Sequence, residues 1–206
     1  MARQLWLLRH GEAEPHGTRA DEERRLTPRG ERQSRAAGAA LARLGVGFDV
    51  VLFSPKVRAR RTAELAAGEW SMAQREQLRA HDPLAGGFHA PDALAALSEV
   101  PDNGRLLLVG HEPDLSSLVG ELTGAGVDLK KGGVAAVRLE GVGGELAVLL
   151  RPRELALIAG VPTDGNCRRH VDLRVHVERF GGEAIADAEV SVDVAPARGC
   201  LLQLLT

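Results

Sequence analysis

The chain is poor in aromatic residues. Trp6, Trp70, Phe48, Phe53, Phe88 and Phe180 are all it has, 3% of 206 residues, and tyrosine is absent. Proteins that hold single strands by base stacking need aromatic platforms, so that class is disfavoured and the core must be built from Leu, Val and Ala. Cysteine is also scarce. Cys167 and Cys200 lack the C-x-x-C spacing of a zinc framework, and the sequence leaves open whether they pair. Neither sign of charge dominates: Lys+Arg 26 against Asp+Glu 28 gives a net charge of −2, without the basic excess of a nucleic-acid binder. Long apolar runs are missing too. Leu5-Trp6-Leu7-Leu8 is too short for a signal-peptide core and ends in Arg9-His10. No stretch approaches the length of a membrane span. A cytoplasmic protein with no membrane and no nucleic-acid partner is the expectation.

Lysine is the remaining scarcity. Only Lys56, Lys130 and Lys131 are lysines among the 26 cations, and the others are Arg, the side chain that grips phosphate in two-point geometry. The length suits one domain of roughly 150 residues plus an appendage. Folding a chain of this size removes about 70% of its extended surface from water, so no covalent staple is required.

Hydrophobic patterning predicts the elements. Residues 5–8 read as a buried first strand. Thr27-Pro28 opens a helix with a capping hydroxyl and proline at its first position, and Gly45 closes it. Residues 50–53 form a second strand, Val57 to Ala67 a second helix and Asp92 to Leu97 a short one, with a Pro/Gly-rich loop before it. Residues 106–109 make a third strand, followed by a helix from Asp114 to Leu122. Residues 134–139 and 145–150 read as a hairpin across a glycine-rich turn, and 153–159 as a last helix. Strands separated by helices imply a three-layer α/β/α domain over residues 1–159, with a mainly parallel sheet and an added antiparallel strand or hairpin. Residues 160–206 form a C-terminal β-rich extension. There Val171, Leu173, Val175 and Val177 alternate with polar residues, as do Val190, Val192 and Val194, which reads as a β hairpin. A sheet extension, a small packing module or a loosely ordered tail are the plain readings of it. Docking of a partner, or self-association as a homodimer, is the other.

Three strand-to-helix junctions carry cationic or imidazole groups: Arg9-His10, Arg58 and His111. In an open parallel sheet the carboxyl ends of the strands share one edge, where ligands bind. Chain order alone therefore predicts that Arg9, His10, Arg58 and His111 converge. Two guanidinium groups and two imidazoles suit a compact dianion such as phosphate, aided by backbone donors at helix starts. No third ligand is spaced to complete a metal site, so neither metal nor other cofactor is expected.

The motifs make this specific. Leu8-Arg9-His10-Gly11-Glu12, Leu26-Thr27-Pro28-Arg29-Gly30 with Gln33, Ser54-Pro55 with Arg58-Ala59 and Thr62, and Gly110-His111 follow one another in order. Over roughly residues 3–158 this resembles the histidine phosphatase (phosphoglycerate-mutase-like) superfamily. The short chain and Gly110-His111-Glu112-Pro113 are similar to the SixA-type phosphohistidine phosphatases. The resemblance implies a metal-independent phosphatase in which His10 attacks phosphorus and becomes transiently phosphorylated. Arg9, Arg58 and His111 would grip the phosphoryl oxygens. Larger members carry an acidic proton donor on an insertion between the second helix and the second histidine. The corresponding stretch is short here, and Asp82, Asp92 and Glu112 are the candidates, with Asp114 reading as a helix cap. A thin lid would admit a phosphorylated side chain, so phosphohistidine on a protein is the expected substrate. A small phosphate ester, of phosphosugar or phosphoglycerate type, is the alternative within the same chemistry. A non-catalytic phosphoprotein- or anion-binding module is the alternative outside it.

Overall fold

The structure is a computed structural model that describes residues 2–140 and 143–161, together with the backbone of 173–174 and 189–190. The elements run β1 (Arg3–Arg9), α1 (Pro28–Arg43), β2 (Val50–Phe53), α2 (Val57–Ala67), α3 (Met72–Arg75), β3 (Leu78–Ala80), α4 (Ala90–Leu97), β4 (Arg105–Gly110), α5 (Asp114–Thr123), β5 (Val134–Glu140), β6 (Gly143–Leu150) and α6 (Pro152–Ile158). A single mixed sheet takes the order β3-β2-β4-β1-β5-β6. The first four strands are parallel, and β5 and β6 join antiparallel. This is the expected α/β class with a mainly parallel sheet and one antiparallel hairpin.

The apolar strands are buried on both faces, as parallel sheets require. Trp6 and Leu8 of β1 pack under α1, α2 and α6. Leu5 and Leu7, with side chains on the opposite face, pack under α4 and α5. Alanine permits close helix packing: Gly38 of α1 lies so near the Ala66 backbone of α2 that a Cβ there would overlap it. Three of the few aromatics, Trp6, Phe48 and Trp70, form one cluster on this side, edge-on between Trp6 and Phe48 at 6.0 Å and tilted between Phe48 and Trp70 at 5.3 Å.

Helix α1 begins as expected, the Thr27 hydroxyl accepting from the Gly30 N–H. Its end is a Schellman turn. Gly45 has φ 67°, its N–H bonds to Ala42 O, and Val46 N–H bonds to Leu41 O.

Three expectations need correction. Strand β3 and helix α3 went unread, because three or four residues carry too little periodicity to register. Helix α4 starts two residues before Asp92, since Pro91 is tolerated in a first turn. Gly143 and Gly144 belong to β6 rather than to the turn; a Cβ on Gly144 would overlap Val137 and Leu139, so the glycine admits a close strand neighbour. In the C-terminal segment Leu173–Arg174 pairs antiparallel with Glu189–Val190 in a separate two-stranded sheet. The remainder of the expected hairpin, Cys167 and Cys200 lie outside the described residues.

Candidate active site

Parallel register brings the strand ends together. Arg9 pairs with Gly110 and Phe53 with Val109. The chain leaves the sheet in step: His10 N–H donates to Gly110 O at 3.0 Å and Ser54 N–H to Val109 O at 2.9 Å. Residues after β1, β2 and β4 therefore face one another across a rim, as chain order predicted.

The first two motifs build the loop that carries His10. Gly11 and Gly30 touch backbone to backbone, and a Cβ on either would overlap its neighbour. Gln33 accepts from Glu12 N–H at 2.8 Å, and Thr27 donates from its hydroxyl to the Glu12 carboxylate at 3.0 Å. The Thr62 hydroxyl accepts from Gly11 N–H at 3.1 Å and donates to Arg58 O at 2.8 Å. The motif residues that seemed remote from chemistry thus hold the Arg-His-Gly turn in place from α1 and α2.

His10, Arg58 and His111 are buried polar residues. His10 Nδ1 lies 2.7 Å from Gly11 O, a carbonyl that can only accept, so Nδ1 carries the proton. Arg58 Nε–H points at His10 Nε2 from 3.3 Å. Both contacts specify one tautomer, with the Nε2 lone pair free of hydrogen. Burial pushes the His10 imidazole down to about 3; the Gly11 carbonyl opposes this, and the charges of Arg58, Arg9 and Lys131 reinforce it. The ring is therefore neutral at pH 7. The His111 ring centre lies 5.0 Å from that of His10. Burial, then the nearby His10, Arg58 and Lys56, bring His111 to about 3 as well.

His111 Nε2 contacts Ser54 Oγ at 2.8 Å. Its other ring nitrogen is buried without a partner among the described residues, as is Nε of Arg9. Arg9 is anchored by its Nη1, which donates to Leu129 O at 2.7 Å. Burial lowers the Arg9 guanidinium pKa, while Glu112 and Asp128 raise it. Buried polar groups without partners are rare in folded proteins, and one of these, His111 Nδ1, belongs to the ring beside His10.

The sequence did not mark Asp21. It lies in a short 3-10 turn between β1 and α1, the first of three successive acids, Asp21-Glu22-Glu23, followed by Arg24-Arg25 with no apolar periodicity. Its carboxylate contacts Arg58 at 3.1 Å, Lys56 at 3.0 Å and Arg24 at 2.8 Å, and its carbonyl accepts from Arg58 Nη1. Those partners, Lys56 first, hold its pKa well below the usual carboxylate range against the cost of burial.

The three acid candidates separate. Asp82 is exposed in a 3-10 turn. Asp92 is exposed and caps α4, its carboxylate accepting from His89 N–H at 3.0 Å. Asp114 accepts from Phe88 N–H at 3.1 Å, a tie between α5 and the loop before α4. Glu112 differs. Burial raises its pKa, opposed by hydrogen bonds from Ser116 and by Arg9, and its Oε1 is buried without a partner among the described residues. Among the described residues no group of three or more His, Cys, Asp or Glu is arranged to hold a metal ion, and no helix is long and apolar enough to cross a membrane.

Fold and rim geometry define an α/β protein with two histidines and an arginine gathered at its strand ends. Residues 5–83 match the model of the histidine phosphatase superfamily, branch 1. An uncharacterised protein of Picosynechococcus is 32% identical over 146 residues, 66% of this chain and 84% of its own length. The solved structure of SixA from Nakamurella multipartitia is 31% identical with a TM-score of 0.61, over 74% of this chain and 97% of that one. The α-ribazole phosphatase of Shigella flexneri shares the fold at a TM-score of 0.54 and 23% identity, over 72% of this chain and 96% of that one. The chain belongs to the histidine phosphatase superfamily, in its SixA-type form.

Proposed function

We propose that the protein hydrolyses phosphoryl groups through a phosphohistidine on His10, and that its substrate is phosphohistidine on another protein. The observation that carries the first part is the tautomer of His10: Nδ1–H bound to Gly11 O, and a bare Nε2 aligned by Arg58. A neutral, oriented imidazole is the nucleophile such chemistry needs. Nε2 attacks phosphorus as the bond to the leaving group breaks. Arg58, whose Nε–H holds the lone pair in aim, turns to the phosphoryl oxygens, joined by Arg9. The Ser54 hydroxyl has no other acceptor among its hydrogen bonds, so it donates to His111 Nε2. That leaves Nδ1–H of His111 for a phosphoryl oxygen. Water then displaces His10 and releases phosphate.

Glu112 is the proposed proton donor, in preference to Asp82 and Asp92. A carboxyl whose pKa is raised by burial is a better proton donor to an alkoxide as it leaves, and the carboxylate so formed takes a proton from the attacking water. An imidazole leaving group needs this less.

The substrate reading rests on likeness to SixA and on how the chain between α2 and β4 is used. It forms an edge strand, and a helix whose Ala93, Ala96 and Leu97 pack into the core below the sheet. Little chain remains for a lid, so a phosphorylated side chain has access. A small phosphate ester is the second reading, since the same fold serves α-ribazole phosphatase.

The test is turnover of an aryl phosphate by wild type and His10→Ala, together with rapid quenching in alkali. Loss of turnover in the variant, with acid-labile, alkali-stable phosphate on wild type alone, is the expected result. Equal rates would remove the role of His10. Rates on a phosphohistidine protein against a panel of esters decide the substrate.

A further inference from the structure

All three lysines of this arginine-rich chain gather at one rim. Lys56 lies within electrostatic reach of His111 and Lys131 within reach of His10, and Lys130 adjoins Lys131. Two of them are engaged: Lys56 by Asp21, Lys130 by Asp128. Lys131 is exposed and has no hydrogen bond or ion pair among the described residues.

The backbone beneath Lys131 is tightly set. The next residue, Gly132, has φ 76°, and its N–H donates to both Arg9 O at 3.1 Å and His10 O at 3.0 Å. Gly133 N–H closes a turn onto Lys130 O at 2.7 Å, and a Cβ on Gly133 would overlap the same oxygen. Leu129, two residues earlier, accepts from the Arg9 guanidinium. The loop 129–133 is thus stitched to the strand end that bears Arg9 and His10, and it carries an unpaired ammonium beside them. An aliphatic stem with a point charge reaches anions at varied positions, unlike the fixed fork of arginine. Arg9, Arg58 and His111 already suffice for one phosphoryl group.

Resting on the proposed function, we propose that Lys131 is a specificity residue that binds a second anionic group of the substrate, a carboxylate or second phosphate beside the phosphoryl group being removed. Such a group comes from the substrate's own skeleton, in a small ester, or from an acidic residue next to the phosphorylated side chain of a protein. Selectivity for the doubly anionic substrate then follows from Coulomb attraction at the rim, and it weakens with salt.

The test has two arms. One compares kcat/KM for 3-phosphoglycerate and glycerol 3-phosphate, which differ in the carboxylate. The other compares phosphohistidine peptides with acidic and with neutral residues flanking the phosphohistidine. In at least one arm wild type should prefer the anionic partner. Lys131→Ala should reduce that ratio about fivefold, in line with one solvent-exposed ion pair. Lys131→Arg should largely keep the ratio, Lys131→Glu should reverse it, and Lys130→Ala should leave it near wild type. A preference in the ester arm assigns the anion to the substrate skeleton, and one in the peptide arm assigns it to a protein partner. Ratios unchanged by Lys131→Ala in both arms, with turnover still dependent on His10, overturn this inference alone. Turnover that survives His10→Ala overturns the underlying reading and this one with it.

Discussion

Arg58 stands between His10 and Asp21. Its Nε lies 3.3 Å from His10 Nε2, while its Nη2 lies 3.1 Å from the Asp21 carboxylate. One planar side chain joins the bare nitrogen of the proposed nucleophile to a carboxylate 37 residues from Arg58 in sequence. The guanidinium fork makes that possible, because its donors are fixed relative to one another.

Replacing Arg58 by lysine should therefore be costly although charge is kept. A lysine cannot address His10 and Asp21 together. We expect kcat to fall by about 10²–10³, as for loss of one preorganised donor to a developing oxyanion. Steady-state kinetics with an aryl phosphate measure this, and a Lys variant within twofold of wild type would contradict it.

Glu112→Gln should separate leaving groups. The amide cannot supply a proton, so hydrolysis of an alkyl phosphate should slow by about 10²–10³. An activated aryl phosphate or a phosphohistidine, whose leaving group needs little protonation, should be affected far less. Wild-type turnover of the alkyl ester should also fall as pH rises through the raised Glu112 pKa, and the variant should lack that limb. Equal slowing for all leaving groups would reassign Glu112 to structure.

Acid should destabilise the fold through His10 and His111. Both titrate near 3 when folded, against about 6.5 in an unfolded chain. Between those values the unfolded state binds more protons, so this contribution is complete above pH 6.5 and is lost as pH falls towards 3. Each histidine adds a slope of up to about 1.4 kcal/mol per pH unit in that window. Urea midpoints from pH 7 to 4 should fall less steeply in His111→Ala than in wild type.

Gly30→Ala and Gly38→Ala should part company. Both add a Cβ that overlaps backbone, Glu12 in the first case and Ala66 in the second, and each should cost about 1–3 kcal/mol of stability. Gly30 bears on the turn after His10, so its variant should also lose activity in the fraction that remains folded. Gly38 bears on the α1–α2 contact and accepts from Trp70 Nε1–H, with no contact to the His10 turn among the described residues, and kcat should hold. Denaturant unfolding and kcat per folded molecule distinguish them.

The four groups at the rim, Arg9, His10, Arg58 and His111, were readable from the chain because each follows an apolar run, and parallel strands place such positions on one edge. The capped start of α1 and its glycine end were readable for a similar reason: they depend on neighbours within a few residues. Other features depend on partners distant in sequence. Asp21 reaches Arg58 and Lys56 only after the loop between β1 and α1 has folded back over α2, and nothing local to Asp21 records this. Glu112 stands out from Asp82 and Asp92 through burial alone, which residue type cannot disclose. The same holds for Lys131, an ordinary surface lysine until Gly132 binds the carbonyls of Arg9 and His10. Local chemistry chose the residues of the site and their order. Long-range packing chose which of them are buried, which are paired, and which keep a free charge.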